Sequence, residues 1–159
     1  DHRDLHSFPT RRSSDLGGET LSLAAALATM KKLEREPVIE TIYRQGGTIV
    51  EQLQTIISAA DATDFLGVAG NPTWSFFTIK DCGNYSMWQI KTLFLQEMFA
   101  RGILTIGTHN MSYSHTDDDL RKLQQAYSEV IQMLAEAVRR GTLESALRCE
   151  PLEPLFKVR

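Results

Sequence analysis

The sequence predicts an α+β fold in which helices pack on a short antiparallel sheet, with one further long helix ahead of that domain. Three observations carry this reading. Apolar residues recur at spacings of three and four over residues 39–57, 87–100 and 117–140, the period of helices with one buried face. Two strand-like runs, 64–69 and 73–79, flank the turn Gly70-Asn71-Pro72. A third run, Ile103 to Ile106, is aliphatic and β-branched and follows a glycine that closes the preceding helix.

The elements follow in chain order. Residues 1–16, DHRDLHSFPTRRSSDL, have neither helical nor strand periodicity, and the character of the chain changes abruptly at Gly17. Back-translated, the stretch resembles the in-frame product of a common short-read sequencing adapter, so it is read as an assembly artefact and left out of fold reasoning. Its His2-Arg3-Asp4-Leu5 mimics a kinase catalytic loop, but the asparagine that should follow falls on Pro9. The segment carries three acids and three arginines, so its removal leaves the net charge unchanged. On this reading the natural sequence starts at Gly17 as the tail of a longer protein.

Gly17-Gly18-Glu19-Thr20 opens a helix reaching about residue 36. Its first half, Leu21 to Met30, is apolar nearly all round, which predicts burial on several faces. Pro37 starts the next helix, whose stripe runs Ile39, Ile42, Gly46, Ile49, Val50, Leu53, Ile56 and Ile57. Gly46-Gly47 inside it costs roughly 1 kcal/mol per glycine relative to alanine, so a neighbouring element is expected to approach closely there. In the second strand Trp74, Phe76 and Thr78 share one face, and Ser75, Phe77 and Ile79 the other. Apolar residues on both faces predict cover on both sides, with Trp74 in the core.

After a polar loop at 81–85, residues 87–100 form a helix with Ile90, Leu93, Phe94, Leu95, Met98 and Phe99 buried. The strand 103–106 then delivers a polar loop holding His109, Asn110, Ser112, Tyr113 and His115. Thr116 and Asp119 are spaced as a capping box, with three acids at the positive end of the helix dipole. That final helix ends at Arg139-Arg140 before Gly141, and Pro151 and Pro154 keep the tail extended.

Composition narrows the function. The 159 residues are 42% hydrophobic with a net charge of −3, enough for a real core and without a basic footprint for nucleic acid. The uncharged stretch 65–79 is broken by Gly70-Asn71-Pro72 and is shorter than the roughly 20 apolar residues a membrane span needs, so no membrane partner is expected. Cys82 and Cys149 lie in no ligand-like spacing and read as reduced thiols of a cytoplasmic protein.

The run Arg101-Gly102-Ile103, a strand, then Ser112-Tyr113-Ser114-His115-Thr116-Asp117-Asp118-Asp119-Leu120 before a terminal amphipathic helix resembles the C-terminal end of class III, fold-type I aminotransferases, in particular the glutamate-1-semialdehyde aminomutase branch. Gly17-Gly18-Glu19 is similar to the segment that opens a helix at the cofactor phosphate in that family. The resemblance implies the cofactor pyridoxal 5'-phosphate and a small α+β C-terminal domain at 37–159, preceded at 17–36 by a helix of the large cofactor-binding domain. It also implies a homodimeric parent that moves an amino group between a small-molecule amino donor and a carbonyl acceptor, or within one molecule. Gly17 and Gly18 would be the remaining edge of the phosphate site, because a phosphate favours backbone amides at a helix start. The family's phosphate-binding threonine would stand where Asp15-Leu16 now does.

His109 and Asn110 come off a strand end, where such an enzyme would present side chains to substrate. His115 is expected to hold its loop by hydrogen bonds. A metal site built from His109, His115 and Asp117 to Asp119 is the weaker alternative, since neither helical spacing nor a cysteine supports it. Transamination needs a lysine that forms a Schiff base. Lys31, Lys32, Lys80, Lys91, Lys122 and Lys157 match no such position, so this chain alone is expected to be inactive. A self-contained α+β binding module without chemistry is the alternative reading.

Overall fold

The computed structural model describes residues 19–154. The proposed artefact at 1–16 and the phosphate-site glycines Gly17 and Gly18 lie outside the described residues. The chain divides into two compact units, residues 1–40 and 41–159.

In the first unit, helix α1 (Thr20–Arg35) ends where Glu36 turns extended ahead of Pro37. None of its residues is buried, and Leu21 is 73% exposed. This corrects the expectation of burial on several faces: composition records what a helix would need covered, not that a cover is present. Helix α2 (Val38–Ala59) begins in this unit and continues through the second.

The second unit holds the core. From α2 the stripe Ile49, Leu53 and Ile57 is buried, whereas Ile39, assigned to the same stripe, is exposed. A Cβ on Gly46 would stand 1.8 Å from the Pro72 carbonyl oxygen, while one on Gly47 would meet nothing within 4 Å. Close approach therefore explains the first glycine of the pair and not the second. The helix stops at Asp61, which has φ 53, with Ala62 N–H donating to the Ile57 carbonyl.

Strands β1 (Leu66–Asn71) and β2 (Trp74–Ile79) form an antiparallel hairpin, closed by the Asn71 Oδ1 that accepts from Thr73 N–H at 3.0 Å. In β2 only Ser75 and Phe77 are buried; Trp74 is 58% and Phe76 37% exposed. The sheet is thus covered on one face, contrary to the two-sided cover and core Trp74 expected from the sequence. The physical reason is that the helices packed on β2 all meet its Phe77 side, where that ring lies 4.7 Å from Phe94 and 5.5 Å from Tyr127.

The third strand is also displaced from its expected place. Residues 103–106 are irregular, and β3 is Thr108–Asn110, which completes a sheet of order β1-β2-β3. Gly107, at φ 91, breaks the aliphatic run from the strand. Pairing at 108–110 sets His109 opposite Ser75 and turns its ring inward to hydrogen-bond partners. Ile103 packs on the core, while Leu104 and Ile106 are 91% and 72% exposed.

Helix α3 (Met87–Ala100) starts in a full capping box between Ser86 and Gln89 and ends at Gly102, φ 74. Ile90, Leu93, Phe94 and Met98 are buried as expected, Leu95 partly so, and Phe99 is 47% exposed instead. Helix α4 (Asp117–Arg140) has the expected capping box, Thr116 with Asp119, and closes at left-handed Gly141. Tyr127, Val130, Ile131 and Leu134 form its buried face. A short helix α5 (Leu143–Ala146) buries Leu143. The segment after it lies along α3, where Leu152 N–H donates to Thr92 Oγ1 at 2.8 Å. No helix among the described residues is long and apolar enough to cross a membrane.

Candidate functional site

Of the polar residues of the 107–115 loop, His109, Asn110 and His115 line a groove of about 420 Å³ beside β3, and Ser112 and Tyr113 do not. Thr108 to Met111 form one wall, Ile103, Leu104, Leu120 and Leu123 supply apolar surface, and His115 and Asp119 stand at its polar end. Asn110 is exposed, opposite Trp74 in the sheet register.

His109 is held differently from its neighbour. The ring is 6% exposed, with Nδ1 3.0 Å from Ser75 Oγ and Nε2 2.7 Å from Tyr127 Oη. Ser75 and Tyr127 are themselves buried, so a neutral imidazole that donates on one nitrogen and accepts on the other satisfies three buried polar groups together. Burial pushes the His109 imidazole down to about 4 and pushes the Tyr127 phenol up. What His109 offers the groove is one ring edge.

The rest of the loop is tied from two sides. His115 Nδ1 accepts from Ser112 N–H at 3.2 Å, as expected, and its backbone carbonyl accepts from Gln45 Nε2 at 2.9 Å. Gln45 is 4% exposed, and the sequence reading passed over it. Its signal was its place on the apolar face of α2 beside Gly46. Also missed was the ion-pair cluster behind the groove's neighbouring surface, where Glu97 meets Arg101 at 2.9 Å and Arg148 at 3.4 Å. Burial alone would raise the Glu97 carboxyl, but hydrogen bonds from Gln96 and Arg101 and both nearby guanidinium charges together hold it below its ordinary value.

Among the described residues no group of three or more His, Cys, Asp or Glu side chains could hold a metal ion. Lys31, Lys32, Lys80 and Lys122 are exposed, and Lys91 is half-buried with its amine 5.9 Å from the Trp88 ring centre. None lines this groove. The geometry presents the Asn110 amide, the His115 ring, the Asp119 carboxylate and backbone groups to a small or extended ligand.

No family model matches the chain, and no solved structure matches it. Curated proteins do. The chain is 26% identical over 136 residues to a glutamate-1-semialdehyde 2,1-aminomutase of Syntrophus aciditrophicus, covering 79% of this chain and 32% of that protein. Two glutamate-1-semialdehyde 2,1-aminomutases of Desulfitobacterium hafniense, from strains DCB-2 and Y51, are likewise 26% identical, over 137 residues, 80% of this chain and 32% of theirs. The chain spans about a third of the length of the curated relatives it matches.

Proposed function

We propose that this chain is the C-terminal part of a class III, fold-type I aminotransferase or aminomutase dependent on pyridoxal 5'-phosphate. The observation that carries the reading is the similarity to glutamate-1-semialdehyde aminomutases along about four-fifths of the chain. The resemblance of Ser112, His115, Thr116 and Asp119 to the family's Ser-x-x-His-Thr-x-x-Asp run supports it, with Thr116 and Asp119 capping the helix that follows. In this reading 17–36 belongs to the large domain and 37–159 to the small one. The exposed apolar residues of α1, Leu21, Leu23, Leu27 and Met30, agree with a helix made for cover by the rest of a larger protein.

Gly17 and Gly18 would edge the cofactor phosphate. Asn110 would meet substrate directly, and His109 would back it by its ring edge. The substrates of the parent would be a small amino donor and a carbonyl acceptor, handled by a cytoplasmic homodimer. The described residues do not by themselves fit the cofactor, because none of their lysines lines the groove beside β3. The chemistry therefore belongs to parts of the parent outside them, and the chain alone turns nothing over.

Incubation of the purified chain with pyridoxal phosphate, borohydride reduction and intact-mass measurement checks this. The expected spectrum shows the unmodified mass, and a stoichiometric pyridoxyl adduct on one lysine would refute it. The closed core of the second unit favours one other reading, a self-contained α+β binding module. That reading requires a monomer at every concentration.

A further inference from the structure

Residues 148–154 leave α5 and run along α3 without joining a helix or the sheet. Side chains of α3 hold them. The Gln96 amide grips the start of the segment twice: its Nε2 donates to the Ala146 carbonyl at 3.0 Å, and its Oε1 accepts from Arg148 N–H at 2.7 Å. One turn earlier in α3, Thr92 Oγ1 accepts from Leu152 N–H at 2.8 Å. Glu97 divides its carboxylate between two segments, with Oε2 meeting Arg101 at 2.9 Å and Oε1 meeting Arg148 at 3.4 Å.

Apolar packing contributes little to this hold. Leu147 packs on the core, but beyond it only Pro151 is half-buried and the other residues are exposed. A segment fixed by a few polar bonds over little apolar area opens at a lower free energy than the core beneath it. Each α3 side chain that it uses also keeps a second partner. Thr92 Oγ1 donates to the Trp88 carbonyl at 2.6 Å, Gln96 Nε2 donates to Glu97 Oε1 at 3.0 Å, and Glu97 retains Arg101. The penalty that normally opposes breaking a buried hydrogen bond, a side chain left without any partner, is therefore avoided.

We propose that residues 148–154 form a strap that opens from α3 as one unit while the core stays closed, with Gln96 as its latch. Opening uncovers the row Thr92, Gln96 and Glu97, of which Thr92 and Glu97 are buried in the closed state. The strap stands independently of the enzyme assignment, since it needs only the contacts between α3 and the segment after α5.

The test is amide hydrogen exchange on the full ¹⁵N-labelled chain, with Ile131 in the buried face of α4 reporting the core. The Arg148 and Leu152 amides are expected to exchange at least tenfold more slowly than in a free peptide of the same sequence, with protection at least a hundredfold below that of Ile131. Gln96→Leu is expected to lower protection at Leu152 at least fivefold, although Leu152 bonds to Thr92 and not to Gln96, and to leave Ile131 within twofold. Should that variant not fold, low urea on the unaltered chain decides. The Arg148 and Leu152 amides are then expected to share one shallow urea dependence, and Ile131 to follow a steep one. The proposal is overturned if the two amides exchange as freely as in the peptide, if they are protected as strongly as Ile131, or if Gln96→Leu frees Arg148 and leaves Leu152 unmoved.

Discussion

His109 is the residue on which sequence and structure bear most differently. As a letter beside Asn110 at a strand end it reads as a substrate contact; in place it is a buried neutral ring joining Ser75 and Tyr127. Its folded pKa of about 4 lies below its ordinary 6.5, so the unfolded chain binds the extra proton first as pH falls. The stability this neutral ring contributes is fully present above pH 6.5, declines as pH drops, and is lost by about pH 4, for a total of roughly 3 kcal/mol. Urea titrations from pH 7 to 4 should show that slope. His109→Phe should remove it while costing about 1–3 kcal/mol at pH 7, since two buried hydroxyls lose their partner. An unchanged slope in the variant would assign it to other groups.

The glycine pair gives a second prediction at this scale. Gly46→Ala drives a methyl into the Pro72 carbonyl and should cost about 3 kcal/mol. Gly47→Ala meets open space in a helix interior and should stabilise by roughly 0.5–1 kcal/mol. Thermal or urea unfolding of the two variants should therefore move in opposite directions. The sequence signalled close approach by the pair; only the fold could say which member was approached.

At the scale of elements, the helices were legible and the third strand was not. The capping box of α4 could be read directly, because Thr116 and Asp119 act on backbone groups within one turn and need no tertiary partner. Thr116→Ala should accordingly cost about 1 kcal/mol, measured by urea unfolding. A cost near zero would mean that the packing of Tyr127, Val130 and Ile131 alone starts the helix. The β3 register, by contrast, depends on contacts far along the chain: Ser75 and Tyr127 decide that His109 points inward, and local propensity favoured the aliphatic 103–106 instead. Trp74 failed for a related reason. Alternation told which residues share a face, but burial depends on a neighbouring layer, and the described residues place one on the Phe77 side alone.

At the scale of the whole molecule, the apolar helix α1 and the closed core of the second unit have different consequences. The core, with Phe77, Phe94 and Tyr127 in mutual contact, should keep the second unit folded. The apolar residues of α1 should make the chain associate as its concentration rises. Sedimentation velocity should show that association, and Leu21→Lys with Leu27→Lys should suppress it. The candidate site was legible in part at this scale: His109, Asn110 and His115, read from one loop, line a single groove, but Gln45 and Trp74 come from distant segments, which residue types do not encode.

The central claim is that this chain is part of a pyridoxal phosphate enzyme, and the natural gene on the 5' side of the Gly17 codon tests it most directly. The account predicts Thr-Phe immediately before Gly17, with a strand-borne lysine farther upstream. Unrelated sequence there, or a gene that starts at that codon, would contradict it and leave the binding module as the better description.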